Sequence, residues 1–256
     1  MGTLVTIRVV GSGADVDAAM DRAFEWFEEI EERCTRFHES SELRRLTEQV
    51  GVPVPVSAIV FEAVRFALMV AEHSGGAFDP TSGHYRELLL DEDRRTIALS
   101  RPLKLDLGAV AKGLAVDTAA RELAPLRNFA IDAGGDLYLG GLNAQGEPWS
   151  VGIRHPRRDR ELIHSLRVSD RAVCTSGDYE RPRHISDPRT PGVEPTAVAS
   201  ATVVASGAML ADALATAAFV LGPEDGIQFL TRMGVEGLIV TPELTRYETR
   251  GLCHAA

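Results

Sequence analysis

An α+β fold, with an antiparallel sheet core and packed helices, is predicted by three features of this 256-residue chain. Its middle third, Phe129 to Thr175, reads as short strands separated by Gly, Asn and Pro clusters, and segments with helical spacing flank that run on both sides. Strands in runs with helices between them favour α+β, and no repeat, low-complexity stretch or long linker divides the chain. A chain of this length buries a sizeable core without covalent staples, so a single domain over residues 1–256 is expected.

Thr3 to Val10 reads as a strand; Gly11-Ser12-Gly13 breaks it, and Asp15 can cap a helix to about Arg36 with Ala19, Ala23, Trp26, Phe27 and Ile30 on one face. A second helix runs from about Ser57 to His73 on a stripe that includes Val60, Ala63, Val64 and Ala67, and Gly75-Gly76 ends it. Two short strands are expected between Arg94 and Leu107. Gly108 then introduces a helix over Ala109 to Leu123, stopped near Pro125. The strands of the middle third are Phe129–Asp132, Leu137–Leu139, Trp149–Arg154, Leu162–Val168 and Ala172–Thr175. A strand from Ala197 to Ala205 leads into a helix over Ala208 to Leu221, Pro223 starts another that ends at Gly234, and strands Gly237–Val240 and Thr245–Arg250 close the chain.

Composition removes several function classes. With 27 Lys+Arg against 37 Asp+Glu the formal net charge is −10, and no basic block offers the footprint a nucleic acid needs; Arg157, Arg158 and Arg160 are interrupted by Asp159 and Glu161. Cys34, Cys174 and Cys253 are odd in number and widely spaced, with no CxxC pair, which argues for a reduced compartment and against a zinc-thiolate site. Met1 to Val10 shows neither the pattern of a signal peptide nor the start of a membrane span, so a cytoplasmic location is expected. Gly11-Ser12-Gly13 lacks the third glycine of a dinucleotide loop, Val16 standing in its place. No Walker loop, HExxH or GxSxG is present.

Three stretches carry possible chemistry. Lys104-Leu-Asp-Leu-Gly-Ala-Val-Ala-Lys-Gly113 delivers Asp106 at a strand end and then a helix start bearing Lys112. A cation there opposes the helix dipole unless an anion binds, so the segment reads either as a phosphate site or as a lysine pointing to solvent. Gly113 costs roughly 1 kcal/mol against Ala inside a helix and signals a close approach, which favours the phosphate site. In Ala208 to Ala218, Asp212 and Thr216 are i and i+4 on a helix of small apolar residues. That is a hard-oxygen pair suited to Mg²⁺ rather than zinc, the alternative being an Asp–Thr hydrogen bond on a surface helix. His184-Ile-Ser-Asp-Pro-Arg-Thr-Pro-Gly192 puts a histidine just before a turn, where it either exchanges a proton or is simply solvated. Thr175-Ser-Gly-Asp-Tyr179 could present amides and hydroxyls nearby.

Taken in order, eight segments make the chain resemble the FAD:protein FMN transferase family, the ApbE-type flavin transferases. They are Met1-Gly-Thr3, Ser41-Glu-Leu43, Gly75-Gly-Ala-Phe-Asp-Pro-Thr81, Leu105 to Gly113, Asp132-Ala-Gly-Gly-Asp136, Thr175 to Tyr179, His184 to Thr190 and Ala211-Asp-Ala-Leu-Ala-Thr216. The resemblance implies that FAD binds in a groove with Mg²⁺ by its pyrophosphate. It also implies that the FMN half passes to a Thr hydroxyl of an acceptor flavoprotein with release of AMP. By the same resemblance, Asp212, Thr216 and the backbone carbonyl of Ala109 ligate Mg²⁺, and Met1, Phe37 or His38, Ala77-Phe78-Asp79, Asp106, Lys112 and His184-Ile185 line the FAD site. His184 is the implied base, and Asp106 the residue holding the adenosine or flavin half. Only Glu-Arg-Pro-Arg separates Tyr179 from His184 where relatives often carry a hairpin, and Thr190-Pro191-Gly192 replaces the usual Thr-Gly turn, departures that bear on the acceptor side. The competing functions are a Mg²⁺-dependent FAD pyrophosphatase and a non-enzymatic FAD-binding protein. Neither nucleic acid nor a membrane span enters any of these readings.

Overall fold

The computed structural model describes residues 3–179, 185–190, 192 and 195–252. Strand β1 (Val5–Val9) leads into α1 (Ala14–Cys34), which buries Ala19, Ala23, Phe27, Ile30 and Cys34 along one face. Its N-cap is Gly13 rather than Asp15; Asp15 and Asp17 sit in the first turn, where they complement the helix dipole. A short helix α2 (Glu42–Thr47) follows, capped by the Ser41 hydroxyl, which accepts from the Arg44 amide at 3.1 Å. Strand β2 (Val54–Pro55) precedes α3 (Ala58–His73), capped by Ser57. Next come β3 (Leu88–Asp91), β4 (Thr96–Leu99) and α4 (Gly108–Leu123). Of the two strands expected between Arg94 and Leu107, only β4 lies there, because the chain reverses one turn earlier, with Arg95 at φ 49.

The second half holds β5 (Phe129–Ala133), β6 (Asp136–Gly140), β7 (Trp149–Arg154), β8 (Leu162–Val168), β9 (Arg171–Gly177) and β10 (Ser200–Ala205). It ends with α5 (Ala208–Leu221), α6 (Pro223–Arg232), β11 (Glu236–Val240) and β12 (Arg246–Glu248). Seven strands form one antiparallel sheet in the order β1-β5-β6-β9-β10-β11-β12, β2-β4-β3 form a small sheet, and β7-β8 form a ribbon. The fold class is therefore α+β with antiparallel sheets and packed helices, as the sequence predicts.

Strand β10 is buried at all six positions, because both faces of the large sheet are covered there. On one face its residues join the cluster that contains α1, α3, α4 and α5; on the other, Val204 belongs to the cluster that includes Trp149, Val151, Ile153 and Leu166 of the ribbon. Helix α5 is buried on nearly every side, which explains its run of alanines: larger side chains would keep it off α4 and the sheet. No helix among the described residues is long and apolar enough to cross a membrane.

Candidate active site

A cleft of about 1150 Å³ opens where the end of β9, the ribbon strand β7, the start of α4 and the middle of α5 converge. Asp106, Ala109 and Lys112 reach it from α4 and its approach, Asp212 and Thr216 from α5, and Ile185 from the segment after β9. Phe37 and His38 line it just beyond α1, and Ala77, Phe78 and Asp79 from the loop after α3. Met1 and His184, also expected at the site, lie outside the described residues.

At the floor, Lys112 Nζ is 2.5 Å from Asp136 Oδ2 and 3.9 Å from Asp212 Oδ2. Both carboxylates are buried; Asp136 Oδ2 is held by its ion pair with Lys112, whereas Asp212 Oδ2 has no hydrogen-bond partner among the described residues. Burial drives the Asp212 carboxyl well above the usual carboxylate range and Asp136 adds to the shift, while Lys112 opposes it. For Lys112, burial works against the ammonium, but Asp212 and then Asp136 outweigh it and hold its proton more tightly than in an ordinary lysine. With both carboxylates ionised, one lysine against two aspartates leaves one negative charge in a dry place. The Thr216 hydroxyl faces the Ser176 hydroxyl at 3.1 Å and donates to the Asp212 carbonyl at 3.2 Å. The Asp–Thr side-chain bond that would account for this pair without a cation is not the one formed.

These distances correct the reading of Lys112 as a free cation awaiting an anion. The helix-dipole argument considers only local groups, whereas β6 and α5 bring two carboxylates to the ammonium. The close approach signalled by Gly113 is made by protein: a Cβ there would lie 2.4 Å from Met209 Cα and 2.5 Å from its nitrogen. Asp106 Oδ1 accepts from the Gly108 amide at 2.9 Å, tying down the start of α4, and its Oδ2 lies 3.3 Å from Arg36 Nε. Asp79 accepts from the Thr81 amide and hydroxyl, both at 2.6 Å, and from the amides of Gly83 at 3.0 Å and Tyr85 at 3.2 Å. Its carboxylate therefore shapes a wall loop. Phe37 is 78% exposed at the mouth, with the Arg36 guanidinium 4.8 Å above its ring. An apolar ring there offers a stacking surface for a planar group.

Asp136 is assigned no role by the sequence, whereas Ser176 belongs to the Thr175–Tyr179 stretch expected to present hydroxyls and does face Thr216. Asp136 opens β6 after the Gly134-Gly135 turn; being 2% exposed, it is a buried acid that needs a partner, but that partner comes from another element. Among the described residues no three His, Cys, Asp or Glu side chains group as a metal cluster. A cation here would take hydroxyl and carbonyl oxygens beside carboxylate, as hard divalent ions do and zinc does not.

This α+β scaffold is the one found in solved flavin transferases of the ApbE type. The chain belongs to the ApbE family: two stretches, residues 1–96 and 84–239, match that family's model. It is 32% identical over 302 aligned residues to the FAD:protein FMN transferase of Treponema pallidum, covering 95% of this chain and 83% of the relative. The protein of the same name from Vibrio cholerae is 30% identical over 270 residues, covering 89% of this chain and 81% of that one. Among solved structures, the flavin transferase ApbE from Vibrio cholerae superimposes with a TM-score of 0.89 at 26% identity, covering 98% of this chain and 94% of that chain. The ApbE protein from Thermotoga maritima gives 0.86 at 27% identity, covering 97% and 96%.

Proposed function

We propose that this chain, an FAD:protein FMN transferase by family, moves the FMN half of FAD onto a Thr hydroxyl of an acceptor flavoprotein with release of AMP, in the presence of Mg²⁺. One observation carries the metal part: the buried Asp212 oxygen that no hydrogen bond among the described residues satisfies, beside the Thr216 hydroxyl at the cleft floor and 3.9 Å from the Lys112 ammonium, which is engaged by Asp136. Asp212, Thr216 and the Ala109 carbonyl are the ligands assigned to the ion, and Lys112 holds Asp136 and Asp212 in place by charge. When bound, the ion supplies charge stabilisation for phosphoryl transfer. FAD occupies the cleft, with Phe37 and His38 at its mouth, Ala77-Phe78-Asp79 and Ile185 along its walls, and Asp106 and Lys112 toward the floor; Met1, outside the described residues, is assigned to FAD by the family resemblance alone.

In the transfer, the acceptor oxygen bonds to the FMN phosphorus while the bond from that phosphorus to the AMP oxygen breaks. His184 is assigned as the base that takes the acceptor proton, and Asp106 orients the adenosine or flavin half. One domain over residues 1–256 carries the activity. Cys34 and Cys174, buried free thiols, suit a reducing compartment, and we assign the enzyme to the cytoplasm.

The direct test incubates the protein with FAD and Mg²⁺, with and without a Thr-bearing candidate acceptor, and follows AMP release and acceptor intact mass, with a chelator control. A chelator-sensitive gain of one FMN unit is expected; AMP and free FMN without a gain, across several acceptors, would replace the transferase with a pyrophosphatase. His184→Ala is expected to lower kcat about 10²-fold or more while FAD affinity stays within a few-fold. An equal loss in both would make His184 a binding residue.

A pH dependence also follows. Because burial and then Asp136 raise the proton affinity of Asp212, a proton competes with a cation for that carboxylate, so Mg²⁺ binding is expected to tighten as pH rises and weaken as it falls. Calorimetric titrations of Mg²⁺ in two buffers of different ionisation enthalpy should give different apparent enthalpies. Identical enthalpies at neutral pH would contradict proton release.

A further inference from the structure

Helices α4 and α5 are antiparallel neighbours whose contacts run in sequence from Asp117 with Ala208 and Met209, through Gly113 with Met209, to Lys112 with Asp212. Asp117 Oδ1 accepts from the Ala208 amide at 2.6 Å and Oδ2 from the Met209 amide at 3.1 Å. The first turn of α5 gets no cap from its own cap residue, Gly207, so a side chain on another helix satisfies two of its orphan donors. The fit is tight: a Cβ on Gly207 would stand 2.8 Å from Asp117 Oδ2, and one on Gly113 would collide with the Met209 backbone. Asp117 does not line the cleft. Asp212 lies one helical turn beyond the clamped amides, and a one-residue slip of α5 along its axis would shift it by about 1.5 Å, against a metal–oxygen bond of about 2.1 Å.

We propose that Asp117 is a positioning residue for the cation site: by clamping the N-terminus of α5 onto α4, it sets where Asp212 and Thr216 stand relative to Ala109 and Lys112. This rests on the assignment of a cation to Asp212 and Thr216. Asp117→Ala removes both acceptors, and Asp117→Asn keeps one oxygen but turns a donor toward the second amide. Mg²⁺ affinity is measured by calorimetry on the FAD-free protein, together with thermal unfolding and the Mg²⁺ dependence of AMP release from FAD. Asp117→Ala is expected to weaken Mg²⁺ binding about 10-fold or more, as loss of an outer support does at metal sites, with Asp117→Asn in between. The Mg²⁺ concentration for half-maximal turnover should rise by the same factor, with kcat at saturating Mg²⁺ within about twofold of the parent.

Unchanged Mg²⁺ affinity beside a lower melting temperature would make Asp117 a cap for stability alone and overturn the proposal. So would a kcat loss that saturating Mg²⁺ does not restore. If Asp117→Ala does not fold, Asp117→Asn decides by the same criteria. Asp212→Asn is the control and should lose Mg²⁺ binding. If it binds like the parent, the cation assignment fails and this inference with it; if it loses binding while the Asp117 variants do not, only this inference falls.

Discussion

Asp212→Asn should yield a folded protein that withstands heat better than its parent in the absence of divalent ions and scarcely releases AMP from FAD. The two effects have opposite sign because they have one cause. Asp212 is a buried carboxyl whose Oδ2 has no hydrogen-bond partner, set against a second acid and 3.9 Å from a lysine that lies closer to Asp136. Its charged form is disfavoured in the ion-free protein, so a nearly isosteric neutral amide removes that cost, about 1–2 kcal/mol by comparison with other buried charges made neutral. A gain of that size raises the melting temperature of a chain this long by a few degrees. If Asp212 is the charged ligand of the proposed ion, the same substitution removes it, and with it several kcal/mol of stabilisation of the transferring phosphoryl group, or about 10³-fold in rate. Differential scanning calorimetry in EDTA and an AMP-release assay at ordinary Mg²⁺ check both halves. Full activity would sink the metal assignment, and a lower melting temperature would show that Asp212 is satisfied where the geometry leaves it unpaired.

Lys112→Met should produce the largest loss of stability at this site. Lys112 Nζ is the cation at the floor, 2.5 Å from Asp136, which is 2% exposed. Removing the ammonium leaves two buried acids facing each other, and uncompensated charges of this kind cost about 3–5 kcal/mol. Chemical denaturation in EDTA measures the loss, and a change below about 1 kcal/mol would mean that the acids are neutral or solvated without the lysine. Adding Mg²⁺ should recover more stability in Lys112→Met than in the parent, since the ion then replaces the missing charge. The double variant with Asp212→Asn should be more stable than the sum of the two single changes, because the residues share one cluster.

Most of the scaffold was legible from spacing. Ala19, Ala23, Phe27 and Ile30 mark α1, alternation marks β7 and β8, and the small-residue run marks α5. Helix α2 went unseen because six residues give too little periodicity, although Ser41 stands before it as a capping residue. At the site, Asp212 and Thr216 could be paired from the sequence because a helix fixes which residues share a face. The partner of Lys112 could not be, since Asp136 reaches it only after β5 and β6 have formed. Asp117 was hidden for the same reason, although an aspartate in mid-helix among alanines is a residue with a task elsewhere. Asp79 and Asp106 show the converse. Their family segments are recognisable, yet the sequence does not reveal that one organises its own loop and the other anchors α4.

On this reading a hard divalent cation sits at the floor of the cleft, between α4 and α5. Crystals soaked in Mn²⁺, with anomalous differences collected at its absorption edge, test it most directly. A peak is expected about 2.1 Å from the Asp212 carboxylate and Thr216 Oγ1, with the Ala109 carbonyl completing the protein ligands. A fully soaked crystal with no peak there, and Lys112 still seated against Asp136 and Asp212, would contradict it.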